Sequence, residues 1–375
     1  MNIESIRIHQ TKIPLKTPYK LSRRYGTLTD TRPVILEVVC DDGTVGLGET
    51  DPVALFTGET TETVVAVLLY DLAPHLIGAD PTNIAEIHAI MDGCIRDMHV
   101  AKAAVDMACH DLLGKAAGMP LAVLLGGRRR TELPIMGSIG GGSPEENARE
   151  ARDMTARGYR SLMVKIGGDP VEDAARTIAI DDALNGEIPL IPDANQGWDA
   201  HTALNYLKRV DGCRIDLLEQ PVAASDIEGL RRIKDSTDVL LSADESLLSL
   251  EHAKILIEKQ AVDVFSVKVS KNGGVFRSRQ IIELAGHFGI AILFNSMIEE
   301  GISQAASFAL GCACENLYPH GHAYFSPLRL EDDITDYSDS IRDGTVSLPA
   351  KPGLGVELND EKLKRYTVKE YSVSG

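Results

Sequence analysis

No stretch of this 375-residue sequence is long and apolar enough to suggest a membrane span; the most apolar window, Val64 to Ile77, is broken by Asp71, Pro74 and His75. A disulfide framework is missing too, and so is any CxxC pair. The six cysteines (Cys40, Cys94, Cys109, Cys213, Cys312 and Cys314) are scattered through apolar or helical contexts, which points to reduced, mostly buried thiols in a cytoplasmic protein. The opening MNIESIRIHQ has neither a basic n-region nor an apolar h-region, so no secretory signal is expected. Cations are outnumbered, with 38 Lys and Arg against 55 Asp and Glu and a formal charge of -17. Such a field repels phosphates, so nucleic acids and anionic membranes are not expected partners. A small anionic substrate is not excluded, because a bound metal inverts the local sign.

What is present has the proportions of a globular protein with a large core, 44% hydrophobic and 25% charged. The length suits a barrel plus a second domain. Residues 1–130 read as an α+β unit. Ile3 to Ile13 alternates apolar and polar residues, Val34 to Val39 is a β-branched run, and Asp42-Gly43 turns the chain into Thr44–Glu49. Lys16 to Thr31, with Arg23, Arg24 and Tyr25, reads as a polar loop. Helical patterns follow over Glu59 to Leu76, Thr82 to Asp92 and Val100 to Ala117.

From about Leu133 short apolar runs alternate with helical segments. Eight candidate strands result: Pro134–Ser138, Ser161–Ile166, Pro189–Pro192, Ile215–Leu218, Val239–Ser242, Asp263–Val269, Ala291–Phe294 and Leu317–His320. From the second onward each ends near a polar residue: Lys165, Asp193, Glu219, Asp244, Lys268, Asn295 and His322, at steps of 24 to 28 residues. A βα unit of a barrel needs roughly 30 residues, so the period predicts a TIM-like barrel over 131–344. The tail, 345–375, is expected to return to the first domain.

Barrel sites form at the C-terminal ends of the strands. Asp193, Glu219 and Asp244 fall on the third, fourth and fifth candidate strands, on one arc of the rim. An Asp after a strand often caps the next helix, but three carboxylates at successive strand ends repel one another unless a cation lies between them. An all-oxygen set without His or Cys suits Mg2+ or Mn2+. Lys165 and Lys268 lie four strands apart, hence on opposite walls. A lysine inside an apolar strand is costly unless paired or functional, and desolvation beside a divalent cation lowers its pKa toward that of a base. The arrangement fits removal of a proton alpha to a carboxylate, through an enediolate that the metal stabilises.

With these residues in place, the chain resembles the enolase superfamily, muconate-lactonizing (muconate cycloisomerase-like) subgroup, over nearly its full length. The matching stretches are Val164-Lys165-Ile166-Gly167-Gly168, Pro192-Asp193-Ala194-Asn195-Gln196, Leu218-Glu219-Gln220-Pro221, Ala243-Asp244-Glu245-Ser246 and Val267-Lys268-Val269-Ser270-Lys271-Asn272-Gly273-Gly274. The resemblance implies an α/β fold, a modified TIM barrel (β/α)7β under an N-terminal α+β capping domain that the C-terminal segment completes. It implies one Mg2+ on Asp193, Glu219 and Asp244, Lys165 and Lys268 as the acid/base pair, and self-association. The loops Lys16 to Thr31, with Arg24 and Tyr25, and Asp51 to Thr60 are then expected to close over the substrate. Asn195, Glu245, Asn295, Met297 and His322 are expected around it, and Glu299 is assigned to the catalytic group beside Lys268, with Glu300 as its rival.

Two departures matter. The subgroup usually has Lys-x-Lys on strand two, and here the first position is Met163. Dipeptide epimerases of the group carry Asp-x-Asp near strand eight to hold an ammonium, where this chain has His320-Gly321-His322. Met297-Ile298-Glu299 and Phe325-Ser326-Pro327-Leu328-Arg329-Leu330 look instead like cycloisomerase sequences, so an isomerase of the muconate cycloisomerase type leads. Racemisation or epimerisation of an N-substituted amino acid or dipeptide is the alternative, then dehydration of a hydroxy acid, and outside catalysis a metal-binding barrel. Trp198 suits either the pocket or the core. A zinc amidohydrolase needs His-x-His on strand one, and Pro134 to Ser138 has none.

Overall fold

The computed structural model describes residues 1–375. Its first unit holds strands β1 (Ile3–Thr11), β2 (Ile13–Lys20), β3 (Thr27–Thr31), β4 (Val34–Cys40) and β5 (Val45–Thr50). The segment read as a polar loop, Lys16 to Thr31, is largely the hairpin β2–β3, paired from Ile13↔Thr31 to Lys20↔Thr27. Its Thr and Tyr residues favour strand on a half-exposed ribbon, and polarity alone concealed that. After a one-turn helix at Ala54–Thr57, three longer helices follow. The first, Thr61 to Leu76, starts at a Thr60–Thr63 capping box and passes through a π-helical turn at Val67–Leu72 before Pro74. The others are Ile84–Cys94 and His99–Ala117.

Helix His99–Ala117 lies directly on β5. A Cβ on Gly48 would sit 1.9 Å from the Ala104 carbonyl oxygen, so the close approach of backbone to backbone needs glycine there. Gly48→Ala is expected to cost about 3 kcal/mol as the helix is pushed off the sheet. Urea unfolding would read this, and an unchanged midpoint at unchanged slope would contradict the packing account.

After β6 (Leu133–Pro134) come the barrel strands, which are short: β7 (Gly137–Ile139), β8 (Leu162–Lys165), β9 (Leu190–Asp193), β10 (Leu217–Glu219), β11 (Leu240–Ala243), β12 (Val264–Val267) and β13 (Ala291–Phe294). Strands β7 to β13 form one parallel sheet in sequence order, with helices between them. The eighth candidate, Leu317–His320, is not a ladder strand. It closes the barrel through single bridges, Ile292↔Leu317 on one side and Ile135↔His322 on the other. Gly321 (φ +136°) follows that segment directly, before the His322 bridge, and this backbone conformation breaks regular pairing. Met136, Met163, Ile191, Leu217, Val264, Leu293, Tyr318 and Ala323 fill the barrel interior below the strand ends.

The tail divides. Strands β14 (Ile341–Arg342) and β15 (Thr345–Val346) form a small sheet with β6, on the barrel side. The turn Pro352 to Gly355 packs on the end of helix His99–Ala117, where Leu354 N donates to Asp111 Oδ1 at 2.9 Å and Gly353 N to Met119 O at 3.0 Å, and β16 (Thr367–Ser374) pairs antiparallel with β1 at the edge of the sheet β16-β1-β4-β5. No helix is long and apolar enough to cross a membrane.

Candidate active site

Register brings the strand-end side chains together. Lys165 pairs with Asp193 across β8–β9, Asp193 with Glu219 across β9–β10, and Glu219 with Ser242 across β10–β11, one pleat before Asp244. Alternation along each strand then turns Lys165, Asp193, Glu219, Asp244 and Lys268 inward above the apolar interior. The three carboxylates are 0% exposed, and Lys165 and Lys268 are buried as well. Strands β8 and β12 stand on opposite sides of β9–β11, so the two amines enter from facing walls.

Each lysine is paired with a different carboxylate. Lys165 Nζ donates to Asp193 Oδ2 and, at 3.3 Å, to Asn195 Oδ1. Lys268 Nζ lies 2.7 Å from Asp244 Oδ2. Burial alone would lower the Lys165 pKa, but the attraction of Asp193, Tyr19 and Glu219 together outweighs it and the net direction is upward. Glu219 is pushed well above the usual carboxylate range by burial and by the charges of Asp193 and Asp244. Its Oε1 accepts from Asn295 Nδ2 at 2.7 Å, while its buried Oε2 has no partner.

Three buried carboxylates on adjacent strands, one with an orphaned oxygen, fit a hard divalent cation such as Mg2+. In the present arrangement the ammonium groups take the place of that charge. Asp193 and Asp244 are turned to the lysines, so the oxygens are not gathered into a coordination sphere.

The surrounding residues divide clearly. Asn195, in the left-handed region at φ +40°, donates its backbone N–H to Asp193 Oδ1 at 2.9 Å and lines the cavity between the lysines. Glu245 Oε1 accepts from Tyr25 Oη at 3.1 Å, which draws the β2–β3 hairpin tip over the barrel; burial and Asp244 push Glu245 up to about 8. Tyr25, Asn295 and Met297 line the same cavity.

Three expectations are placed elsewhere, and one left open is decided. Arg24 is exposed and outside the cavity lining. Glu299 folds back on its own loop, accepting from Ser296 Oγ at 2.7 Å and Met297 N at 2.5 Å, and the cavity is lined by Ser296 and Met297 instead. His322 faces outward: its Nδ1 accepts from Phe294 N at 3.0 Å, and burial with nearby Arg130 holds it down at about 3. Trp198 belongs to the core, donating to the Gly168 carbonyl and packed on Tyr206.

Other members were not singled out from the sequence. Phe56, from the short helix Ala54–Thr57, covers Lys268 with its ring centroid 3.8 Å from Nζ. Lys271 Nζ lies 2.8 Å from Asp244 Oδ1. The Gln220 side chain accepts from Asp244 N and Ser246 N. Lys271 and Gln220 stand inside the quoted motifs and were legible there; nothing in the sequence around Phe56 marks it.

Behind this site lies a group of buried acids between the two units. Glu49 accepts from Glu300 N at 2.5 Å and Ser303 N at 2.8 Å, capping helix Gly301–Ala313 from the other domain. Burial raises Glu49, Glu299 and Glu300, and raises Asp51 to about 8. These groups bind protons in the folded state that the unfolded chain has released above its ordinary range near 4. Their contribution is full below about pH 4, so metal-free stability is expected to fall as pH rises from about 4 toward 8. Thermal melts across that window check it, and a rise with pH would contradict the assignment.

Comparison with known proteins agrees with this geometry. The mandelate racemase / muconate lactonizing enzyme N-terminal domain model matches residues 3–126, and the enolase C-terminal domain-like model matches residues 146–362. An N-succinyl-L-Arg/Lys racemase of Bacillus cereus is 33% identical over 369 residues, covering 98% of each chain; the crystal structure of the B. cereus enzyme superposes with a TM-score of 0.96 at 32% identity, over 100% of both. A chloromuconate cycloisomerase of Cupriavidus necator is also 33% identical, over 98% of this chain and 99% of its own. A dipeptide epimerase of Enterococcus faecalis, complexed with Mg and L-Leu-L-Tyr, gives 0.90 at 30% identity, over 95% of this chain and 100% of that one. The opposed lysines, the carboxylate arc and the capped barrel thus have one common explanation: the chain belongs to the mandelate racemase/muconate lactonizing enzyme family of the enolase superfamily, and is an isomerase of that family.

Proposed function

We propose that this chain is a Mg2+-dependent racemase of an N-acylated α-amino acid. The observation that carries the reading is that Lys165 and Lys268 line one cavity from opposite walls, each within reach of the carboxylate arc. Inversion at a carbon needs a base on one face and an acid on the other. Asp193, Glu219 and Asp244 would hold the metal, which when bound supplies a fixed positive charge for the charge developing on the substrate carboxylate.

The protein side chains then divide the work. One lysine, as the neutral amine, takes the α-proton, and the C–H electron pair moves into the carboxylate. The other, as the ammonium ion, returns a proton to the opposite face. Release of Asp193 from its ion pair is what frees Lys165 to act as a base. Phe56 and Tyr25 keep water from the cavity, which strengthens electrostatic interactions inside it.

The wall also bears on the substrate. No acid faces the cavity in a position to hold a free ammonium; on the strand-eight side it is lined by Ala323 and Phe325. An acylated nitrogen needs no counter-charge. Mostly apolar walls suit an uncharged side chain.

A second reading is cycloisomerisation of a muconate-type carboxylate. The Met297-Ile298-Glu299 and Phe325 to Leu330 sequences and the apolar wall favour it, and it needs only one of the lysines. Polarimetry over N-acetyl and N-succinyl amino acids of both hands, run beside absorbance assays on muconates, separates the two. Loss of optical rotation with Mg2+ supports racemisation. Muconate turnover without any racemisation rejects it in favour of the second reading.

A further inference from the structure

Helix Gly274–His287 follows the loop that carries Lys268, and its N-cap, Gly273, has no side chain to satisfy the first turn. The cap comes from the other domain. Asp106, in helix His99–Ala117, accepts from the backbone N–H groups of Val275 and of Phe276, the latter at 3.4 Å. The same carboxylate takes His88 Nε2 at 2.7 Å and lies 3.3 Å from His110 Nδ1. It is 0% exposed. A Cβ on Gly274 (φ +92°) would fall 2.2 Å from Asp106 Oδ2, so the two segments approach as closely as glycine allows.

The loop between Asp106 and the base is closed on itself. Asn272 Oδ1 accepts from Lys268 N at 2.9 Å, Asn272 N donates to Lys268 O at 2.9 Å, and Gly274 N donates to Val269 O at 2.9 Å. Asn272 Nδ2 ties the loop to Leu247 O at 2.8 Å. Holding Gly274 and Val275 therefore holds the backbone from which the Lys268 side chain springs. No comparable link runs from Asp106 to β8 and Lys165.

We propose that Asp106, braced by His88 and His110, is a positioning residue for Lys268, through which the capping domain sets the aim of one base and not the other. The assignment rests on the two-base racemase reading. Its consequence is asymmetric: loosening this clamp impairs the enantiomer whose α-proton faces Lys268 and spares the one that faces Lys165. A residue that merely glued the domains together would affect both enantiomers alike.

The test is α-proton exchange in D2O with Mg2+, followed by NMR separately for each enantiomer of an N-acyl amino acid, with Lys165→Ala and Lys268→Ala fixing which enantiomer belongs to which lysine. Asp106→Ala is expected to slow exchange at least 10-fold for the Lys268 enantiomer and less than 2-fold for the other. Asp106→Asn keeps one acceptor oxygen and should show the same bias at about 3-fold; it serves if the alanine variant does not fold. Equal losses, or a bias matching Lys165→Ala, overturn the proposal. If wild type exchanges no N-acyl amino acid, the racemase reading fails, and backbone amide exchange without substrate decides the positioning claim. Peptides covering Lys268 to Gly274 should then exchange at least 10-fold faster in Asp106→Asn, with those covering Leu162 to Ile166 unchanged; no difference overturns it.

Discussion

Lys268→Ala is expected to reduce racemisation by about 10³-fold, or roughly 4 kcal/mol of transition-state stabilisation, while exchange of one enantiomer's α-proton persists through Lys165. Lys165→Ala should mirror this result with the other enantiomer. The two variants should differ in stability, for a reason visible in the ion pairs. Removing Lys268 leaves Asp244 with Lys271 at 2.8 Å, so its charge stays compensated. Removing Lys165 leaves Asp193 buried with no other ion pair, a loss of about 3 kcal/mol or more in the metal-free protein. Loss of both exchange activities in Lys268→Ala, with the protein folded, would rule out two independent bases.

The second large effect concerns the carboxylate arc. Glu219→Gln is expected to lower Mg2+-dependent turnover by about 10²-fold or more by weakening the metal set, and at the same time to stabilise the metal-free protein by on the order of 1 kcal/mol. The opposite signs share one cause. Glu219 is raised well above the usual range because burial and two neighbouring carboxylates oppose its charge, so an uncharged amide relieves a strain that otherwise only a proton or a bound cation relieves. The amide oxygen still accepts from Asn295 Nδ2. Paired melts with and without Mg2+ check this: wild type should gain more from the metal than the variant. An equal gain would mean that Glu219 is not a ligand.

Much of this site was legible in the sequence because a barrel repeats. A polar residue ending each short apolar run marks both the strand and the face it serves, so Lys165, Asp193, Glu219, Asp244, Lys268 and Asn295 could be placed before any coordinates. The same rule misplaced His322. The eighth segment turns through Gly321 and makes single bridges, so strand alternation no longer predicts which way a side chain points. Glu299 was misplaced for a related reason, since the loop bends at Ile298 (φ +74°) and turns the carboxylate back onto Ser296. Phe56 over Lys268, Glu49 on helix Gly301–Ala313 and Asp106 on helix Gly274–His287 join residues more than 150 positions apart. No local pattern carries such contacts between domains.

The central claim is that this chain removes the proton alpha to a carboxylate with lysines on two faces of one carbon. It is tested most directly by incubating each enantiomer of an N-acyl amino acid in D2O with wild-type protein, with Mg2+ and with a chelator, and following the α-proton by NMR. The account predicts deuterium at the α-carbon from both enantiomers, with Mg2+ only. Incorporation from a single enantiomer, or at the same rate with the chelator, would contradict it.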